Sequence, residues 1–99
     1  MQFEKNEDGT VLKLTLDKKL SAVTAEQLEK ELEEKLPGVK DFTIDMAKLA
    51  YVSSAGLRVL LKAQKDISQR GTMKIINAVP EVMRIFETTG FDDIFNISR

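Results

Sequence analysis

Several stretches of this chain alternate between apolar and polar positions, and others repeat their apolar positions at helical spacing. From Thr10 to Leu16, Leu12, Leu14 and Leu16 fall on one face and Val11, Lys13 and Thr15 on the other, which predicts a half-buried strand. Asn6-Glu7-Asp8-Gly9 just before it is a turn signal, because Gly takes positive φ and Asn and Asp tolerate it. Gln2 to Lys5 is therefore predicted to pair with the next strand as an N-terminal hairpin. Asp41 to Met46 alternates again, with Phe42, Ile44 and Met46 opposite Asp41, Thr43 and Asp45, and Thr72 to Asn77 reads as a further strand. Thr24-Ala25-Glu26-Gln27 matches a capping box, so a loop is expected over residues 17–23 and a helix from Thr24 to about Leu36. Leu28, Leu32 and Leu36 form its stripe, and Pro37-Gly38 stops it. A second helix is predicted from Ser54 to about Gln69. Its inner stripe is Leu57, Leu60, Leu61, Gln64 and Ile67, and its outer side carries Arg58, Lys62, Lys65 and Gln69. Val79-Pro80-Glu81 opens a third helix on Val82, Ile85 and Phe86, and Gly90 closes it. Phe91, Ile94 and Phe95 predict a short terminal turn or strand packed on the core.

The predicted order is β-β-α-β-α-β-α with a small terminal element. It describes a single α/β domain over residues 1–99 with a mixed β-sheet of four to five strands. Strands buried on both faces would be continuously apolar, whereas Asp41, Thr43, Asp45 and Lys74 sit at alternate positions. Helices are therefore expected mainly on one face.

Composition narrows the chemistry. At 99 residues the chain is long enough for one domain, and its net charge of -1 offers no basic field for direct contact with nucleic acid or an anionic membrane. With no cysteine there is no disulfide or thiol chemistry, and with no histidine the commonest general base and metal ligand are missing. The apolar runs are too short to span a membrane, and the N-terminal stretch lacks a signal core, so a cytoplasmic protein is expected. The glycines are scattered with no Gly-Lys-Ser/Thr string, and the carboxylates show no metal-ligand spacing. No enzyme activity and no cofactor are expected.

The informative stretch is Tyr51-Val52-Ser53-Ser54-Ala55-Gly56-Leu57-Arg58. A strand ends at Val52 and a helical pattern starts at once, so both serines fall at a helix start. A hydroxyl there can cap unpaired backbone N–H groups, and a phosphate there is electrostatically favoured. The run from Asp45 to Leu61 resembles the signature of the STAS domain, in particular that of the bacterial anti-sigma factor antagonists, and the resemblance extends from about Val11 to Phe95. Many members carry Asp where this chain has Ser53 and Gly where it has Arg58; a Ser-Ser-Ala-Gly-Leu-Arg variant also occurs in the family.

The resemblance implies that Ser54, two places before Gly56, is phosphorylated by a partner kinase. It implies further that the unphosphorylated chain binds an anti-sigma factor, often that same serine kinase, and so frees a sigma factor. The resemblance also implies a separate protein phosphatase that resets the switch. The partner surface is expected on the rim made by Lys18, Lys19 and Ser21 of the first loop, the Ser53-Ser54 turn, and Arg58 and Lys62 on the outer face of the second helix. Arg58 and Lys62 are four apart and predict a local positive patch away from the acidic first helix. The alternatives are a STAS subunit of another assembly, stressosome-like or lipid-transporting, and a small-molecule or nucleotide sensor.

Overall fold

The computed structural model describes residues 1–98. Five strands form one sheet in the order β1-β2-β3-β4-β5, with β1 (Gln2–Lys5), β2 (Val11–Leu20), β3 (Asp41–Val52), β4 (Thr72–Ile76) and β5 (Asn96–Ser98). β1 and β2 form the predicted antiparallel hairpin, turned by Gly9 at φ 76°, and β2 to β5 are mutually parallel. Helices α1 (Ala22–Lys35), α2 (Ser54–Ser68) and α3 (Pro80–Thr89) make the connections, and a 3-10 turn over Phe91–Asp93 precedes β5.

The strand order explains why the helices share a face. Each parallel strand lies beside the one before it, with no reversal of direction across the sheet. Successive crossovers of the usual right hand then deliver every helix to the same side. Leu12, Leu14, Leu16, Phe42, Ile44, Met46, Met73 and Ile75 are buried on that side. On the other, Lys13, Thr43 and Lys74 lie in register across the sheet, where water can reach them. No buried residue among those described is polar or charged.

Three predicted boundaries are corrected. β2 runs on to Leu20, where a loop was expected, and α1 starts earlier, with Ser21 as its N-cap in place of Thr24. The capping box is real but shifted: the Thr24 amide donates to Ser21 Oγ at 3.2 Å, and the Ser21 amide donates to Thr24 Oγ1 at 2.7 Å. β3 is one strand of 12 residues rather than a strand to Met46 followed by a separate run. Its register to β2 slips twice, between Thr15 and Asp17 and between Lys18 and Lys19, each time with one extra residue on β3. Each bulge resets the alternation, so buried Met46, Leu49 and Val52 are three apart instead of two.

The buried arc of α2 also differs from the prediction. Val59 and Ala63 are buried together with Leu57, Leu60 and Ile67, while Leu61 and Gln64 are half-buried. The reason is that α2 packs on α1 as well as on the sheet: Val59 and Ala63 line a groove with Leu32 of α1 and Leu36, its C-cap.

Candidate functional site

β2 and β3 outrun β4, whose pairing with β3 stops at Asp45–Ile76. Their last residues form a two-stranded ribbon, with Lys19 beside Tyr51 and Leu20 beside Val52. Both strands then turn into a helix through a serine. Ser21 caps α1 and Ser53 caps α2, and the two turns are joined by the Ser53 amide, which donates to the Leu20 carbonyl at 2.9 Å. Gly56 permits this closeness. A Cβ at position 56 would lie 2.8 Å from Leu20 Cγ, 2.9 Å from its Cδ2 and 3.1 Å from its carbonyl oxygen. A glycine in the first turn of a helix is otherwise unfavourable by about 1 kcal/mol relative to alanine, so this contact accounts for its presence.

The two serines separate cleanly. Ser53 accepts the Gly56 amide at 3.0 Å on its Oγ, and its carbonyl accepts the Leu57 amide at 2.9 Å. Its hydroxyl is occupied in capping the helix. Ser54 is the first residue of α2 and is exposed, and among the described residues no hydrogen bond reaches its hydroxyl.

Lys18 and Lys19 are exposed at the end of β2, and Lys18 holds a positive φ of 58° at the second bulge. Ser21 is half-buried in its cap. Arg58 is exposed one turn beyond Ser54, and no ion pair or hydrogen bond engages it among the described residues. Lys62 differs from the expectation of a patch separate from α1. Its Nζ lies 3.0 Å from Glu29 Oε2 and 3.9 Å from Glu33 Oε1, bridging the two helices over the groove. The hydrogen bond that Lys62 donates to Glu29, reinforced by the charge of Glu29 and to a lesser extent that of Glu33, raises the Lys62 pKa against an opposing desolvation. The positive character of this face therefore rests on Arg58, with Lys18 and Lys19 at the neighbouring strand end.

Two exposed apolar side chains flank the rim and carried no sequence signal of their own: Val23, 67% exposed in the first turn of α1, and Tyr51, 47% exposed at the end of β3. Tyr51 borders a shallow depression shared with Arg84 and Ile85 of α3. Among the described residues no group of three acidic side chains converges to hold a metal, and no helix is long and apolar enough to cross a membrane.

A five-stranded mixed sheet with helices on one face, and paired strand-to-helix turns at one edge, is the architecture of a STAS domain. The family model for the STAS domain matches residues 2–99, and the chain belongs to that family. Its similarity runs to members named anti-sigma factor antagonists. BtrV of Bordetella bronchiseptica, which carries that name, is 35% identical across 88% of this chain and 86% of its own length. The anti-sigma factor antagonist SpoIIAA in its unphosphorylated form superposes with a TM-score of 0.84 at 17% identity, covering 99% of this chain and 87% of that one. The phosphorylated form of SpoIIAA, a Bacillus cell fate determinant, superposes with a TM-score of 0.69 at 18% identity, covering 99% and 90%.

Proposed function

We propose that this chain is a phospho-switched anti-sigma factor antagonist whose switch residue is Ser54. The observation that carries the reading is the division of labour between the serines. Ser53 is committed to the cap, and Ser54 offers an exposed hydroxyl on a rim fixed by two strand ends. A kinase needs a hydroxyl that can be reached without unfolding the substrate. The similarity to BtrV, and the two forms in which SpoIIAA is known, support the same reading.

In the unphosphorylated state the rim binds an anti-sigma factor, which then releases its sigma factor. Lys18, Lys19, Ser21, Ser53, Ser54, Arg58 and Lys62 form the contact surface, and Arg58, Lys18 and Lys19 supply its unpaired cations among the described residues. The anti-sigma factor acts as serine kinase: Ser54 Oγ attacks the γ-phosphorus of ATP, the new O–P bond forms as the bond to ADP breaks, and the hydroxyl proton passes to a base of the kinase. This chain supplies only the acceptor, so it is a substrate and binding partner rather than an enzyme. The phosphate brings nearly two negative charges at neutral pH to the centre of the contact surface, where they oppose binding unless cations meet them. At a helix start the fold tolerates the same charges. A phosphatase restores the serine by directing water onto the phosphorus, with release of inorganic phosphate.

Phosphopeptide mapping after incubation with ATP and the anti-sigma kinase of the same genome tests the assignment. The expected product carries one phosphate, on Ser54. A phosphate on Ser53 alone would contradict it.

A further inference from the structure

We infer that phosphorylated Ser54 is paired within this chain by Arg58, so that modification removes a partner-facing cation as well as adding a charge. The inference rests on the reading of Ser54 as the phosphoacceptor. It takes that reading a step further, from where the phosphate goes to what receives it.

Three observations lead to Arg58. First, Ser54 and Arg58 are four apart in one continuous helix, so they stand on the same face, with Cβ atoms about 5–6 Å apart. Second, helical side chains tilt toward the N-terminus, so a long side chain at position 58 lies over the turn that begins at Ser54. Third, Arg58 is exposed and carries no ion pair or hydrogen bond among the described residues. Its guanidinium is free to reorient, and five N–H donors suit the three terminal oxygens of a phosphate.

The next cation along the same face does not compete. Lys62 is held by Glu29 and Glu33 of α1, and reaching Ser54 would mean giving up both. Lys18 and Lys19 sit on a separate element, β2, and lack the fixed four-residue helical spacing that sets Arg58 beside Ser54.

The consequence is a two-part switch. In the unmodified chain Arg58 projects freely and can meet an acidic group of a partner. In the phosphorylated chain the guanidinium folds back onto its own helix. The partner then faces a phosphate and loses the cation that had been available to it.

The test introduces phosphoserine at position 54 during translation, so that no kinase is needed, and follows the phosphate by phosphorus NMR as pH is varied. A neighbouring cation favours the dianion and lowers the second pKa of the phosphate, which ordinarily lies near 6. Arg58→Gln should raise that pKa, with about a 1.4- to 2.3-fold fall in the acid constant, as expected for an exposed pair on a helix. Arg58→Lys should restore part of the difference. The double variant Lys18→Gln with Lys19→Gln should leave the titration unchanged. Superimposable curves for the parent and Arg58→Gln overturn the inference, as does a shift produced by the lysine variants alone. Because the phosphate is placed genetically, these outcomes do not depend on whether the kinase selects Ser54. That question is answered separately by the phosphopeptide map.

Discussion

Gly56 sets how closely α2 approaches the end of β2, and therefore where Ser54 stands. Its missing side chain is replaced by Leu20, whose Cγ would be 2.8 Å from an added Cβ. Gly56→Ala should lower stability by about 1–3 kcal/mol, the usual result of forcing an extra carbon into a packed site, even though alanine favours the helix more than glycine. Chemical denaturation checks this, and a variant as stable as the parent would mean that Leu20 moves aside freely. At this scale the sequence was partly legible. A glycine inside the first turn of a helix announces a close approach without saying to what, and the contact with Leu20 spans 36 positions of chain. The two serines posed a similar ambiguity. Local pattern placed both at the helix start, but which hydroxyl caps depends on where the strand stops, and that is settled by the pairing of β3 with β2.

Among the elements, α1 and α2 divide the charge at the site. Glu29 and Glu33 are four apart on α1 and present two carboxylates to Lys62, which leaves Arg58 as the cation in the first turns of α2 without an ion pair among the described residues. Arg58→Glu should therefore slow association with the anti-sigma partner and weaken its salt dependence more than Lys62→Glu does. Lys30→Glu on the far side of the acidic helix should change neither. Stopped-flow association at several salt concentrations separates these outcomes, and a larger effect from Lys62→Glu would shift the contact toward the groove between the helices. The Lys62 contact also has a defined pH signature. Its folded pKa lies above the ordinary 10.5, so its contribution to stability is fully present below that value and is lost as pH rises through the raised one. Stability near neutral pH is therefore insensitive to the titration of this lysine. Periodicity identified α2 and its outer face, but it missed the second neighbour: the stripe was read against the sheet alone, and α1 widened it to Val59 and Ala63. The bulges in β3 hid in the same way. They break the two-residue period between Met46 and Val52, and without that period a continuous strand looks like two.

In the whole molecule, the topology gathers the candidate site residues at one end of the sheet. Parallel strands in sequential order place the ends of β2 and β3 side by side, and both ends lead directly into helices that lie on the same face. The site does not sit where strand order reverses, the usual location of ligand crevices in open α/β sheets. It forms a protruding rim, a shape suited to a protein partner. The layer architecture followed from the order of strand and helix patterns, because alternation of that kind has few solutions. The rim did not, since it depends on β4 being shorter than β2 and β3, and strand length is poorly marked when the following residues, Asn77 and Ala78, are themselves compatible with a strand end.

If Ser54 is the switch residue, a single phosphate there changes binding and leaves the fold intact. Ser54→Asp offers a partial imitation and should melt close to the parent while binding the anti-sigma factor more weakly. The most direct measurement is isothermal titration of the anti-sigma factor kinase of the same genome into the unmodified chain and into the chain carrying phosphoserine at position 54, with the thermal midpoint of each chain recorded alongside. The account predicts closely similar midpoints and an affinity lower by at least about tenfold, or about 1.4 kcal/mol, for the phosphorylated chain. Equal affinities for the two forms, or a phosphorylated chain that loses binding because it no longer folds, would contradict it.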